Sequence, residues 1–320
     1  MGNMNVVVLA PNDYAKALGK KGTASDITLY DMKKGQDTVS LIEPTKYPER
    51  LAPLFYACSM AESALVVVNE INAQLGESIL MMHCLGIRKG WFVLSNYLTP
   101  DRILPLIKDT SLAGFEFIDA DPIKIREMLL DIAAKQESAE GAWPSGSVPV
   151  DHHFHVKGVG TVVLGYVAKG TVRRHDVLNV LPGKKQAQVR SIQKHDDDYE
   201  VSDLGDRVGL ALKNIESDEL DRGYVLTNDK DIRCMKELTV AATLIKYWPT
   251  PLKEGMVLHV GHWMQFQPSR VESVDNGSDW KSPKLKLVLE KELVFPPGSK
   301  AVLTQLEGGK LRIVGTIVLP

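Results

Sequence analysis

The sequence predicts an α/β domain followed by all-β structure. Two observations carry that prediction. Up to about residue 140, short β-branched apolar runs alternate with stretches of helical periodicity. From about Val148 onward the chain reads as short alternating strands punctuated by glycines. Between the two, Glu137 to Ser147 contains Gly141, Pro144 and Gly146 and reads as a linker.

The elements of the front part follow in order. Asn5 to Leu9, Thr38 to Ile42, Ala64 to Val68, Trp91 to Leu94 and Phe115 to Ile118 are apolar runs of strand length. Tyr47 to Met60, Ile71 to Leu85, Asp101 to Asp109 and Pro122 to Lys135 carry helical patterns between them. Thr99-Pro100-Asp101 and Asp121-Pro122 supply an N-cap residue and a proline for the first turn. Such alternation implies a parallel sheet covered on both faces.

Composition sets bounds on the rest. The chain has 320 residues, 44% hydrophobic and 24% charged, with a formal net charge of −2. That length suits two or three domains with their own cores. No global positive field draws the chain to nucleic acid, so such a contact needs a local patch, and DNA is not an expected partner. No apolar run reaches the roughly 18 residues of a membrane span. Residues Met1 to Ala10 lack a basic region and a cleavage site, so a cytoplasmic location is expected. Cys58, Cys84 and Cys234 are scattered without CxxC spacing and read as reduced thiols.

A nucleotide-binding parallel sheet needs a glycine loop after its first strand, a lysine for phosphate oxygens and a hydroxyl for magnesium. After Leu9 the chain reads Ala10-Pro11-Asn12-Asp13-Tyr14-Ala15-Lys16, without glycine and with a proline that removes a donor. Gly19-Lys20-Lys21-Gly22 reads as a solvated loop. Ile42-Glu43-Pro44-Thr45-Lys46 stands where a GTPase has Asp-x-x-Gly, and Asn96-Tyr97-Leu98-Thr99 keeps only the asparagine of Asn-Lys-x-Asp. Asp119-Ala120-Asp121 stands in the last guanine loop. Without the cradle, phosphoryl transfer loses its positioning and charge stabilisation. No catalytic residue, no cofactor and no GTPase activity are expected.

The barrel region carries an ordered series of blocks. They are Phe154-His155-Val156-Lys157-Gly158-Val159-Gly160-Thr161-Val162-Val163-Leu164-Gly165, Asp176-Val177-Leu178, Gln188-Val189-Arg190-Ser191-Ile192-Gln193, Gly205-Asp206-Arg207-Val208-Gly209-Leu210 and Arg222-Gly223-Tyr224-Val225-Leu226. The series resembles domain II of elongation factor Tu-type translation factors, most of all the selenocysteine-specific elongation factor. The tail, with Arg312-Ile313-Val314-Gly315-Thr316-Ile317 as its best block, resembles domain III. The resemblance implies a degenerate GTPase-like domain over 1–140, a β-barrel over 148–233 and a second β-barrel over 236–320. It also implies an end without the messenger-RNA-binding extension of bacterial selenocysteine factors.

What the resemblance implies about sites is specific. An acidic-basic pair before the first barrel strand and a later arginine form the aminoacyl pocket of selenocysteine factors; here they are Asp151, His152 and Arg207. Two basic groups suit an anionic selenol, and the carboxylate orients them. The terminal adenosine of tRNA meets an apolar patch that maps to Val162, Leu164, Gln193 and Leu210. Val162 and Leu210 also fit a barrel core. Gln193 and Asp196 replace a glutamate and an arginine found in elongation factor Tu. GTP and magnesium are cofactors of the family whose motifs are missing here.

The remaining polar clusters have plainer readings. His152, His153 and His155 lack the further ligands of a zinc site. Asp196-Asp197-Asp198 reads as an exposed hairpin turn, and Arg173-Arg174 and Lys184-Lys185 as solvated basic spots. The expected function is a non-catalytic paralogue of an elongation factor that binds an aminoacyl-tRNA acceptor end, or a mimic, without a GTP switch. The alternatives are a module docking a protein of the translation apparatus and a GTPase with atypical motifs.

Overall fold

The computed structural model describes residues 2–11, 13–136, 141–307, 309 and 311–320. The chain divides into two compact units, Met1–Ser138 with Gly308–Arg312 and Ala139–Glu307 with Ile313–Pro320.

The first unit is built on a mixed sheet. Its elements are β1 (Asn3–Leu9), β2 (Lys20–Ala24), β3 (Thr28–Lys34), β4 (Asp37–Glu43), α1 (Ala52–Ser59), β5 (Ser63–Val68), α2 (Ala73–Leu85), β6 (Lys89–Leu94), α3 (Pro100–Ile107), β7 (Glu116–Ile118) and α4 (Pro122–Ala134). The strand order is β2-β3-β4-β1-β5-β6-β7. From β4 to β7 the pairs are parallel, as the β-branched runs predict. Val6 and Val8 pack with Leu41, Leu65, Trp91 and Val93 against Ile125, Leu129 and Ala133 of α4. Val7, Ile42 and Ala64 between them are buried as well, so both faces are covered.

The sheet corrects three expectations. Gly19 to Gly22 is no loop, because Lys20 and Lys21 pair with Asp31 and Tyr30. Its exposed, polar residues mark β2 as an edge strand, which carries no apolar pattern to read. β3 runs antiparallel to β4, so the sheet is not wholly parallel. The helix expected over Tyr47 to Met60 is confined to Ala52–Ser59. Pro53 is tolerated in the first turn but would clash inside a helix begun at Tyr47. Other ends follow capping chemistry. The Asn72 side chain accepts from Leu75 N–H at 2.9 Å, and Asp121 accepts from Ile123 and Lys124 N–H. Part of the expected linker, residues 137–140, and Asn12 of the loop after β1 lie outside the described residues.

The second unit holds two barrels. The first comprises β8 (Gly146–Val156), β9 (Gly160–Tyr166), β10 (Lys169–Arg173), β11 (Val177–Leu181), β12 (Lys185–Lys194), β13 (Asp197–Tyr199), β14 (Val201–Asp203), β15 (Arg207–Lys213) and β16 (Val225–Thr227). It closes through the cycle β8-β16-β11-β12-β15-β9-β8. Its core is Val148, Val150, Val163, Leu178, Val180, Val189, Ile192, Val208, Leu210 and Leu226 with their neighbours. β12 and β13 meet at His195 and Asp196, both in left-handed backbone, so the acidic run forms the tight turn its composition suggests.

The second barrel closes in the order β17-β20-β19-β18-β21-β22. Its strands are β17 (Arg233–Leu244), β18 (Val257–His262), β19 (Gln265–Asp275), β20 (Lys284–Phe295), β21 (Lys300–Thr304) and β22 (Ile313–Val318). Strict alternation along β17 turns Leu238, Val240, Ala242 and Leu244 inward. Between the barrels, Gly223 has φ +91°, and a Cβ there would lie 3.0 Å from Met264 O. Only glycine meets both conditions without strain.

Candidate functional site

Three residues expected from sequence meet in the first barrel. The β8–β9 pairing shifts register between Val150 and His152, so Asp151 sits at the irregularity. Such an irregularity re-aims a side chain. Asp151 is 2% exposed. Its Oδ2 accepts from Arg207 Nη2 at 2.7 Å, and His152 Nδ1 lies 2.9 Å from the same oxygen. The histidine nitrogen is near enough for charge interaction but is not aligned as a full hydrogen bond.

A fourth residue completes the cluster. Arg222 Nη2 donates to Asp151 Oδ1 at 3.0 Å, and Arg222 Nε donates to the Asp151 carbonyl at 3.1 Å. It lies in the loop before β16, held as Gly223 N–H donates to Val150 O at 2.9 Å. Sequence reasoning missed Arg222, although the Arg222-Gly223-Tyr224 block was in view. Burial drives the Asp151 carboxyl upward, but Arg207, the His152 ring and Arg222 outweigh it and hold it well below the usual carboxylate range. One carboxylate thus faces two permanent guanidinium charges. Arg207 Nη1 is buried without a hydrogen-bond partner. That unused Arg207 donor suits an anionic group.

The register links this cluster to the expected apolar patch. Partners directly opposite on adjacent strands share a face. His152 pairs with Leu164, Leu164 with Gly209, and Gly209 with Gln193. A single row therefore runs from the cationic cluster across β9, β15 and β12. Val162 pairs with Phe154, which is 42% exposed, and Val162 and Leu164 are half-buried. A Cβ on Gly209 would meet Leu164 Cδ2 at 3.5 Å, so the glycine leaves this strip shallow. Gln193 is exposed, and its Nε2 donates to Asp198 Oδ1 at 3.0 Å.

Leu210 requires a correction. It is fully buried in the barrel core with Val163 and Ile192. Inward Val208, Leu210 and Leu212 set the phase of β15, so Gly209 rather than Leu210 reaches the outer face. His153 Nδ1 lies 3.1 Å from Ser217 Oγ, and no metal-competent cluster occurs among the described residues. Arg173 Nη2 donates to Gly141 O, Arg174 pairs with Glu200, and Lys185 pairs with Glu219.

The first unit has its own concave region, a crevice of about 530 Å³ at the carboxyl ends of β1, β4 and β5. After β1, Asp13 adopts a left-handed backbone and Tyr14–Ala17 makes one 3-10 turn. The Ala15 N–H donates to Glu43 Oε1 at 2.7 Å. Glu43 is 8% exposed, and burial raises its carboxyl above the usual value against the Ala15 N–H and the Tyr30 hydroxyl, which favour its charge. The Tyr30 phenol is pushed up by burial, then by Glu43 and Asp13. Asn96 holds the neighbouring loop, its Nδ2 donating to Asn69 O at 3.2 Å.

Comparison with known proteins places this architecture. Residues 160–227 match the model of Elongation factor Tu domain 2. An uncharacterized protein, MJ0325, of Methanocaldococcus jannaschii is 40% identical over 301 residues, 94% of each chain. The selenocysteine-specific elongation factor of the same organism is 23% identical over 92% of this chain and 70% of its own. The chain belongs to one family with MJ0325. Its first barrel is of the elongation factor Tu domain 2 type, and over most of its length the chain is similar to selenocysteine-specific elongation factors. The solved structure of the elongation factor SelB from Methanococcus maripaludis with the GTP analogue GppNHp matches at TM-score 0.83 and 20% identity, over 100% of this chain and 79% of that one. A bacterial selenocysteine-specific elongation factor matches at 0.83 and 17%, over 100% and 58%. The chain has no helix among its described residues that is long and apolar enough to cross a membrane.

Proposed function

We propose that this translation factor holds an aminoacyl-tRNA acceptor end, or a mimic of one, on its first barrel, and does so without a GTP switch. The observation that carries the reading is the row His152, Leu164, Gly209, Gln193. It sets a cationic cluster beside a shallow apolar strip on one barrel face. An acceptor end offers that pair of chemistries, a small polar or anionic group next to a flat base. Arg207 and Arg222 supply fork-shaped donors with Asp151 as their shared counter-ion. The half-buried Val162 and Leu164 supply a sequence-tolerant platform for a base.

The second half of the proposal concerns the front unit. Its residues do not fit a guanine triphosphate with magnesium. The N–H of Ala15 already serves a carboxylate, and Pro11 offers no donor. Asp13, Glu43 and Glu70 line the crevice against Lys21. We therefore propose no phosphoryl-transfer chemistry and no nucleotide cofactor. In a switch the γ-phosphate orders one state over another; here the arrangement of the chain sets binding, which suits a sequestering or regulatory role.

The experiment is gel retention of charged and uncharged tRNA by the wild type and by Arg207→Ala. Retention of charged tRNA by the wild type and its loss in the variant support the reading; equal failure of both proteins on every tRNA removes it. Titration of a fluorescent GTP analogue with magnesium tests the missing switch, and micromolar affinity would end that half. A second reading, docking of a protein of the translation apparatus, draws on the acidic turn Asp196 to Asp198, which adjoins Gln193 and disfavours phosphate. A pull-down that recovers only RNA counts against it.

A further inference from the structure

We propose, building on the acceptor-end reading of the first barrel, that the far end of its outer strip is a phosphodiester-binding subsite. Arg190 and Lys213, with Lys157 beside them, take the sugar-phosphate chain of the single strand that leads into the acceptor end.

The bulge in β12 aims the first of these groups. Val189 pairs with Leu212 and Ser191 with Ala211, so Arg190 is the extra residue between them. An extra residue of this kind re-aims its side chain. Arg174 holds the bulge, its Nε donating to Arg190 O at 3.1 Å while its Nη1 pairs with Glu200. The Arg190 Nη1 donates to Val159 O, in the turn between β8 and β9, at 3.0 Å. The order β12-β15-β9 puts β15 between bulge and turn, so the Arg190 side chain lies across β15 on the outer face. Ala211 leaves room for it there. This small residue alternates with inward Leu210 and Leu212, and it is 5% exposed although it faces outward. Arg190 itself is exposed, and Val159 O takes one of its five guanidinium donors, so the fork keeps donors for a ligand.

Register brings two more cations to this end. Lys213 pairs with Gln188, one step beyond the bulge, and continues the outer face of Gly209 and Ala211. Lys157 lies in the β8–β9 turn with Val159. Both lysines are exposed, and among the described residues none of the three cations pairs with a carboxylate. Phe154 and Val159, 42% and 39% exposed, add apolar surface beside them. A cationic groove interleaved with exposed apolar groups is the chemistry that tracks one nucleic-acid strand. Leu164 and Gly160 mark the two ends of the strip on β9, and strand rise sets them roughly 13 Å apart. A base stacked between them has the Asp151 cluster on one side and the Arg190 fork on the other. The acidic turn Asp196 to Asp198 adjoins Gln193, in the Leu164 row, and repels phosphate from that side. The strand therefore enters over Arg190 and ends at Arg207.

The test is gel retention of uncharged tRNA, intact or with its single-stranded 3′ end trimmed, over a salt series. Each phosphate contact on a single strand contributes about 0.7 to the slope of log K against log salt. The double variant Arg190→Ala, Lys213→Ala should weaken retention of intact tRNA about tenfold at ~0.1 M salt and reduce the slope by about 1.4. Arg190→Lys keeps the charge and should keep the slope. Lys253→Ala with Lys284→Ala removes two exposed charges from the second barrel and should not reproduce the effect. All four side chains are exposed, so each variant should melt with the wild type. An unchanged slope in the Arg190 and Lys213 double variant, or an equal loss in the control pair, would overturn the subsite alone. Equal retention of trimmed and intact tRNA by the wild type, or of neither, would remove the acceptor-end reading and the subsite with it.

Discussion

Two buried carboxylates, Glu43 in the first unit and Asp151 in the first barrel, meet opposite fates. Glu43 has a backbone N–H and a phenol for company but no guanidinium, and its carboxyl is raised. Asp151 is buried more deeply, yet two arginines and a histidine close on it, and its carboxyl is depressed. The lesson concerns what each site can offer a ligand. Burial alone leaves an acid reluctant to ionise, whereas burial among guanidinium groups holds it ionised. The same residue chemistry thus makes one site unfit for anions and the other suited to them.

The sharpest way to break this comparison is Asp151→Asn. It strands two guanidinium groups against a neutral amide, and breaking a buried pair costs about 3–5 kcal/mol. Urea unfolding at pH 7 measures it; a loss below about 1 kcal/mol would mean that the cluster is not truly desolvated. The sign with pH is fixed by the depressed value. The Asp151 contribution is fully present above the unfolded carboxyl near 3.9 and is lost as pH falls through the lower folded value. The cost of the variant should therefore stay level from neutral to mildly acidic pH and shrink only in stronger acid.

Next in size comes the contrast between the barrel's core and its outer face. Leu210→Ala should cost about 2–5 kcal/mol as a core truncation. Leu164→Ala, on the half-exposed strip, should cost about 1 kcal/mol or less and instead weaken tRNA retention. A reversed order would restore Leu210 to the ligand face.

Glu43→Gln separates the two carboxylates by sign. A raised folded value means that ionised Glu43 costs stability at high pH, and that the cost begins to be relieved as pH falls through that value and is gone below the ordinary carboxylate value. The amide oxygen can still accept from Ala15 N–H. The melting temperature of the variant relative to wild type should therefore rise as pH increases from below the ordinary carboxylate range to neutrality; a fall would show that the charged form is the favoured one.

The smallest expected stability change is at Gly209→Val. A Cβ there meets no atom closer than 3.5 Å, so unfolding should shift by no more than about 1 kcal/mol. The added side chain fills the strip beside Leu164, and tRNA retention should drop. Unchanged retention would move the acceptor end elsewhere.

Much of this molecule was legible before any coordinates. The β-branched runs at Asn5 to Leu9 and Ala64 to Val68, the cap at Asp121, and the glycine-punctuated barrel strands are local signals, and local signals survive folding. The blocks of the first barrel also pointed to Asp151, His152 and Arg207. β2 was missed because an exposed polar edge strand has no apolar period. Leu210 was misplaced although its phase with Val208 and Leu212 was there to be counted. The partners of the two carboxylates were decided only in three dimensions. Arg207 and Arg222 lie 56 and 71 residues from Asp151 along the chain, and Ala15 lies 28 from Glu43. Periodicity reports on neighbours in sequence, while the charge state of a buried acid depends on whichever groups closure of the sheet brings within about 3 Å of it.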